Sequence, residues 1–335
     1  MTLRLPEMLE AITRTLKYCQ VRADEKVVIY SDSGRPREVA ELFQAASVAL
    51  GCDAVAVWAK ARPPLVEPPR TAVESMKRAD MVFEISTESW LYTSATDEIL
   101  QSGARMLQVR TEMRLLERAP TDAIVRKASV AKGLFDKATR IRLKSKLGTD
   151  FEVSYEGRTP VPQDGVVEGP GDWDSVGTAY CNVFPVEETA EGTIVLNGPV
   201  LSTPTLKLVI EEPVRLEIEQ GRVIKIEGGS EAKKLVNWFD GHGDPNLRRI
   251  SHVGVGMDPR CGPPPKPVES GDYGSWEALN GGAIVAFGAS RGPAGYGQYP
   301  AKNHMDCVVL ECDFYLDNRP LVSAGKFVPD GLRDE

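Results

Sequence analysis

The stretch Val27–Trp58, VVIYSDSGRPREVAELFQAASVALGCDAVAVW, carries the alternation that decides the fold. Val27–Tyr30 is a short apolar run without polar interruption, and AVAVW repeats it at Ala54–Trp58. Between them Val39, Leu42, Phe43 and Ala46 recur at steps of three and four, the spacing that lines one side of a helix. Unbroken apolar strands separated by amphipathic helices predict a parallel sheet covered on both faces. The pattern extends outward from this stretch. Leu9, Ile12 and Leu16 mark a preceding helix, while MVFEI (Met81–Ile85) and ARMLQV (Ala104–Val109) follow as strands. Helical segments at Ala72–Ala79 and Asp97–Gln101 separate them. The loop Ser31-Asp32-Ser33-Gly34-Arg35-Pro36 is polar but is not G-x-G-x-x-G, and no Walker-type lysine loop occurs. The first half therefore reads as Rossmann-like without a nucleotide motif. ARPPLVEPPR (Ala61–Arg70) reads as a loop, and Thr121–Ala138 as a long basic helix with a solvated face.

From Arg140 the period changes. RIRLKSKLGTDFEVSYEGR reads as two alternating strands joined at Leu147-Gly148-Thr149-Asp150. EGTIVLN, LKLVIEE, VRLEIEQGRVIKIEGG and CVVLECDFYLDNRPLVSAGKFV continue that style, with one helix at Ser230–Phe239. The expected fold class is α/β: an N-terminal parallel sheet with flanking helices over 1–143, and a β-rich C-terminal domain over 144–335.

Composition narrows the function. The 335 residues include 40 Lys+Arg against 48 Asp+Glu, a net charge of −8, with 42% hydrophobic and 26% charged residues. These are the proportions of a globular protein with a large core, not of a disordered or disulfide-built chain. The acidic balance argues against nucleic acid or an anionic membrane as partner. No run approaches the roughly 18 apolar residues of a membrane span. The opening residues, MTLRLPEMLEAITRTLKYCQ, lack a signal-peptide pattern. Six scattered cysteines without a C-x-x-C pair suit reduced thiols, so the expected compartment is the cytoplasm. Only three histidines exist, His242, His252 and His304, so any imidazole chemistry is confined to them.

His304 and Asp306 form an H-x-D pair at the head of an apolar strand, where residues two apart share a face. His252, in Ile250-Ser251-His252-Val253-Gly254-Val255-Gly256, opens another strand beside glycines that permit close backbone approach. Two imidazoles and one carboxylate on one face of a metal leave open positions, as in non-haem Fe(II) oxygenases, and the same set suits a catalytic zinc. A buried histidine hydrogen-bonded to a nearby aspartate accounts equally for the spacing. His242 sits in a turn-like polar loop. Glu187 or Glu188 could act as acid/base or as partner of a metal histidine. The glycine-rich tract Gly288–Tyr299 before His304 reads as a mobile lid or pocket wall, with Arg291, Tyr296 and Tyr299 placed to bind an anionic or aromatic substrate.

Taken together, Leu147-Gly148-Thr149-Asp150-Phe151, Phe184–Thr193 (F-P-x-E-E then E-G-T), Ser251–Gly256 and His304-Met305-Asp306 resemble the leucyl aminopeptidase T-like metallopeptidase family. Gly171–Asp174, Ile250-Ser251-His252 and Asp313–Asp317 bring the chain nearer to that family's oxygenase offshoot, the 2,5-dihydroxypyridine 5,6-dioxygenases. The peptidases resembled are two-metal enzymes with a tyrosine ligand seven positions after the first histidine, where this chain has Pro259. The resemblance therefore implies a mononuclear site of His252, His304 and Asp306. It implies a cytoplasmic, Fe(II)-dependent dioxygenase that opens the ring of a hydroxylated aromatic or N-heteroaromatic compound, with O2 as co-substrate. Zinc or manganese are the alternative metals, and a metallo-aminopeptidase is the alternative activity. It also implies a homo-oligomer, a dimer or larger. The dioxygenases carry two further pocket histidines, where Tyr92 and Ser175 stand here. Tyr92, Ser175 and Glu187 are thus the catalytic candidates, and Arg291 and Tyr296 the substrate-binding ones.

Overall fold

A computed structural model describes residues 4–202, 205–261, 276–291 and 299–334. The chain divides into two compact units, Met1–Val125 with Gln163–Thr178, and Arg126–Pro162 with Ala179–Glu335.

In the first unit the strands and helices alternate as their periods require. The order is α1 (Leu5–Tyr18), β1 (Lys26–Asp32), α2 (Arg37–Leu50), β2 (Asp53–Ala59), α3 (Arg70–Met76), β3 (Met81–Ile85), α4 (Ser94–Gln101), β4 (Arg105–Gln108) and α5 (Glu112–Arg118). With β8 (Trp173–Ser175) the sheet has the order β2-β1-β3-β4-β8, every pairing parallel. One face packs Val27, Ile29, Phe83 and Leu107 against Met8, Ile12 and Phe43 of α1 and α2. The other packs Val28, Val82 and Met106 against Val73, Met76 and Ile99 of α3 and α4. Burial on both faces of β1, β3 and β4 explains why these strands lack an apolar–polar alternation, whereas β2 at the sheet edge leaves Val55 and Trp58 exposed. The fifth strand, β8 (Trp173–Ser175), comes from far along the chain and pairs with β4. A single division after residue 143 is thus corrected: the segment from Gln163 to Thr178 returns to the first unit, because β4 needs a partner on its outer edge.

The second unit opens within α6 (Asp122–Phe135) and is built on two antiparallel sheets. The eight-stranded sheet contains β5 (Arg140–Lys144), β6 (Asp150–Ser154), β10 (Glu191–Leu196), β13 (Val214–Glu219), β14 (Arg222–Glu227), β18 (Asp313–Leu316), β19 (Arg319–Ser323) and β20 (Lys326–Phe327). The hairpin read at Leu147–Asp150 is the β5–β6 connection. The seven-stranded sheet contains β7 (Val161–Gln163), β9 (Tyr180–Val183), β11 (Pro199–Ser202), β12 (Leu206–Val209), β15 (Ile250–Gly256), β16 (Ala283–Ser290) and β17 (Tyr299–Val309). One core serves both sheets: Ile141, Phe151 and Leu216 pack in the same cluster as Val253, Val285 and Cys307, with α7 (Ser230–Gly241) adding Leu235 and Phe239.

Among the described residues no helix is long and apolar enough to cross a membrane.

Candidate metal centre

Three neighbouring strands of the seven-stranded sheet, in the order β17-β16-β15, build the site. His304 and Asp306 stand two apart on β17 and share a face. Their register partners on β16 are Gly288 and Ala286, which leave the space above the middle strand open. Gly288 is required by its backbone as well, since its φ is +91° and a Cβ there would lie 2.4 Å from the Asn303 carbonyl oxygen. The third side chain arrives through a bulge. Ile250 pairs with Phe287 and Val253 with Val285, so Ser251 and His252 together face the single residue Ala286. Such an extra residue re-aims a side chain, here turning His252 towards β17.

His252 Nε2 lies 3.2 Å from Asp306 Oδ1, and His304 Nε2 lies 3.2 Å from Asp306 Oδ2. The two imidazoles are stacked, 5.3 Å apart with 26° between planes. All three residues offer ligand atoms within 4.8 Å of one another. The edge of the Phe184 ring covers His252 at 5.8 Å. His304 Nδ1 lies 2.7 Å from the Ala289 carbonyl oxygen. A carbonyl only accepts, so Nδ1 carries the proton and Nε2 turns a lone pair towards the carboxylate. Outer N–H groups of metal-bound histidines are held in this way.

Burial works against an ionised Asp306, but the two imidazoles outweigh it and hold the carboxyl below its ordinary range. Burial lowers His252. At His304 burial acts in the same direction, yet Asp306 and the Ala289 carbonyl prevail and raise it. Although the His252–Asp306 approach is at ion-pair distance, it lacks hydrogen-bond alignment. Asp306 Oδ1 and, on the other side of its ring, His252 Nδ1 have no hydrogen-bond partner among the described residues. An anionic oxygen and imidazole lone pairs, buried together, call for a cation.

Among the described residues no other histidine, cysteine, aspartate or glutamate joins these ligand atoms. Glu187 is exposed and accepts a 2.6 Å bond from Arg158 Nη2. With Glu188, Arg249, Ser251 and Tyr299 it lines a small cavity of the second unit. Tyr92 lies half-buried in the loop between β3 and α4, and Ser175 ends β8, both in the first unit. Arg291 follows β16 and is half-buried. Tyr296 and most of the glycine-rich tract lie outside the described residues. His242 caps the end of α7, its Nδ1 2.8 Å from the Trp238 carbonyl oxygen, and is not among the grouped ligand atoms. The Ala289 carbonyl was missed in the sequence, because a backbone acceptor leaves no signal in residue type.

The model of the 2,5-dihydroxypyridine 5,6-dioxygenase family matches residues 7–329. The chain belongs to this family. It is a ring-cleaving dioxygenase, an oxidoreductase, and membership implies a metal cofactor. A 2,5-dihydroxypyridine 5,6-dioxygenase of Pseudomonas putida is 30% identical over 261 residues, 77% of this chain and 73% of that one. A solved 2,5-dihydroxypyridine dioxygenase structure from the same organism superposes with a TM-score of 0.88 at 25% identity, covering 99% of this chain and all of the other. AmpT from Thermus thermophilus, at 14% identity and TM-score 0.66 over 97% of this chain and 99% of its own, shares the fold.

The dioxygenase's donor set fits a metal. Ligands at about 2.0–2.1 Å from one ion and at right angles lie about 3 Å apart, close to the two 3.2 Å separations. Two imidazoles and one carboxylate form the 2-His-1-carboxylate set that leaves positions open.

Proposed function

We propose that this dioxygenase uses Fe(II), held by His252, His304 and Asp306, to open the ring of 2,5-dihydroxypyridine or a closely similar hydroxylated N-heteroaromatic compound. The observation that supports it most is the gathering of three donor residues, His252 and Asp306 buried and His304 half-buried, with ligand atoms within 4.8 Å of one another and His304 fixed from behind by Ala289. Bound iron supplies the redox chemistry that couples dioxygen to an electron-rich ring. The residues do the rest. Asp306 contributes the charge that keeps a cation in the core, and the Ala289 carbonyl fixes the tautomer and orientation of His304. Phe184 keeps one side of His252 dry. Tyr92 and Ser175, both of the first unit, are proposed as catalytic hydroxyls on the ground that they stand where the family resembled carries pocket histidines. Glu187 is assigned to its ion pair with Arg158 rather than to proton transfer.

The overall change is addition of both atoms of one O2 to the substrate and rupture of one ring bond, with no other oxidant or reductant. Opening the bond between ring positions 5 and 6 leaves a carboxylic acid at the former hydroxyl-bearing carbon and a formyl group on nitrogen. A cytoplasmic setting suits the six free cysteines. Self-association is part of the proposal and is read by light scattering on the purified chain.

Anaerobic reconstitution with Fe(II) followed by an oxygen-electrode assay on 2,5-dihydroxypyridine tests the reading. One O2 consumed per ring opened, with loss of iron and turnover in His304→Ala, is the expected result. Stoichiometric zinc, peptide hydrolysis and no oxygen uptake would sink it. Against that outcome stands Pro259, where the two-metal peptidases need a ligand. Among the described residues no second metal-binding group accompanies the triad.

A further inference from the structure

Both ladders of β16, the strand between the metal-ligand strands, break at one place. On its β15 side the register shifts between Ile250 and Val253, and on its β17 side between Gly288 and Ser290. Ala289 stands at the gap, with no register partner on either neighbour. Its carbonyl oxygen takes two side-chain donors instead. Ser251 Oγ donates from β15 at 3.0 Å, and His304 Nδ1 donates from β17 at 2.7 Å. A carbonyl oxygen has two lone pairs, so these bonds use its full capacity. One oxygen of a buried residue thereby ties the strand of His252 to the strand of His304 and Asp306.

Ser251 is the other half of the bulge that aims His252. The two residues lie between Ile250 and Val253, both packed in the core, and neither has a register partner of its own. On one side of them Tyr299, at the start of β17, donates its hydroxyl to the Ile250 carbonyl oxygen. On the other side Val253 pairs with both β9 and β16. Between these anchors the bulge is held by the Ser251 hydroxyl, with a longer contact of 3.5 Å from Ser290 Oγ to the Ser251 carbonyl oxygen. Ser251 is 1% exposed, and a hydroxyl buried so deeply is costly unless it is bonded.

We propose that Ser251 is a positioning residue of the metal centre, holding the His252 bulge and the His304 imidazole to one shared acceptor and so setting the spacing of the two ligand rings. Its hydroxyl hydrogen is committed to Ala289, so it acts through the two histidines and not on the substrate. The assignment rests on the proposed ligand set of His252, His304 and Asp306 and deepens it. Without the hydroxyl, Ala289 keeps His304 but loses its side-chain link to β15. The bulge is then free to turn His252 away from Asp306.

The test titrates Fe(II) into the full-length chain without oxygen, and separately loads it with Co(II), whose visible absorption reports ligand number and geometry. Ser251→Ala is expected to bind Fe(II) about 10–100-fold more weakly, with altered Co(II) bands at full loading. Ser251→Thr, which keeps the hydroxyl, is expected to restore both. A residue that only fills space would change the melting temperature alone. Parent-like Fe(II) affinity and Co(II) bands in a folded Ser251→Ala therefore overturn the inference. If that variant does not fold, Ser251→Cys, of similar shape but with a weak S–H donor, is read in the same way. A parent chain that binds neither metal, or a His304→Ala chain with full affinity, overturns the ligand set and this inference with it.

Discussion

The proposed chemistry rests on three residues, His252, His304 and Asp306. His304→Ala should reduce metal affinity by more than the about 10–100-fold that outer-shell changes cost, measured by metal titration of the folded variant. A variant that keeps full affinity would remove His304 from the ligand set. The H-x-D pair was legible because a strand's period is two, which alone brings His304 and Asp306 to one face. His252 was legible by elimination, since only three histidines exist. How it reaches Asp306 was not, because the bulge opposite Ala286 is a property of pairing between strands. The same holds for Ser251, Ala289 and His304. They are far apart in the chain, and only the breaks in pairing between three antiparallel strands bring them together. Glu187 drew notice as part of an acidic pair, and its exposed carboxylate is paired with Arg158, a contact that sequence spacing does not reveal.

At the scale of elements, the apolar runs and their helices reported the parallel sheet correctly because burial on both faces erases alternation. β8 escaped because three residues, Trp173–Ser175, carry no periodicity, and their place is set by the free edge of β4. The glycines after His252 were read as places of close approach, and they are. A Cβ at Gly254 would meet the Cys181 carbonyl oxygen at 2.4 Å, and one at Gly256 the Leu279 carbonyl oxygen at 2.4 Å. Gly254→Ala should therefore push β15 off β9, costing about 1–3 kcal/mol of stability and loosening metal binding at the same time. Denaturant titration with and without Fe(II) reads both effects. Loss of stability with unchanged metal affinity would show that β15 can shift without moving His252.

At the scale of the whole molecule, stability should depend on pH through the segment that returns to the first unit. Asp174 accepts bonds from Gln163 Nε2, Thr178 Oγ1 and the backbone N–H groups of Asp164, Gly165 and Ser175, which make it the charged member of a buried pair. Burial, and then the charge of Asp174, push Asp164 up to about 7. A carboxyl raised on folding favours the protonated native state. Its contribution is present below the unfolded value of about 3.9 and is lost as pH rises towards 7. Asp164→Asn should cancel that loss, melting about 2–4 °C above the parent at pH 8 and converging with it near pH 4. A constant difference across this range would count against the pair. The decisive test of the ring-opening reaction is the fate of dioxygen. Product formed from 2,5-dihydroxypyridine under ¹⁸O2 by the Fe(II)-loaded chain should carry both labelled atoms in its mass spectrum. Product holding oxygen from water alone, or formed equally well without O2, would contradict the account.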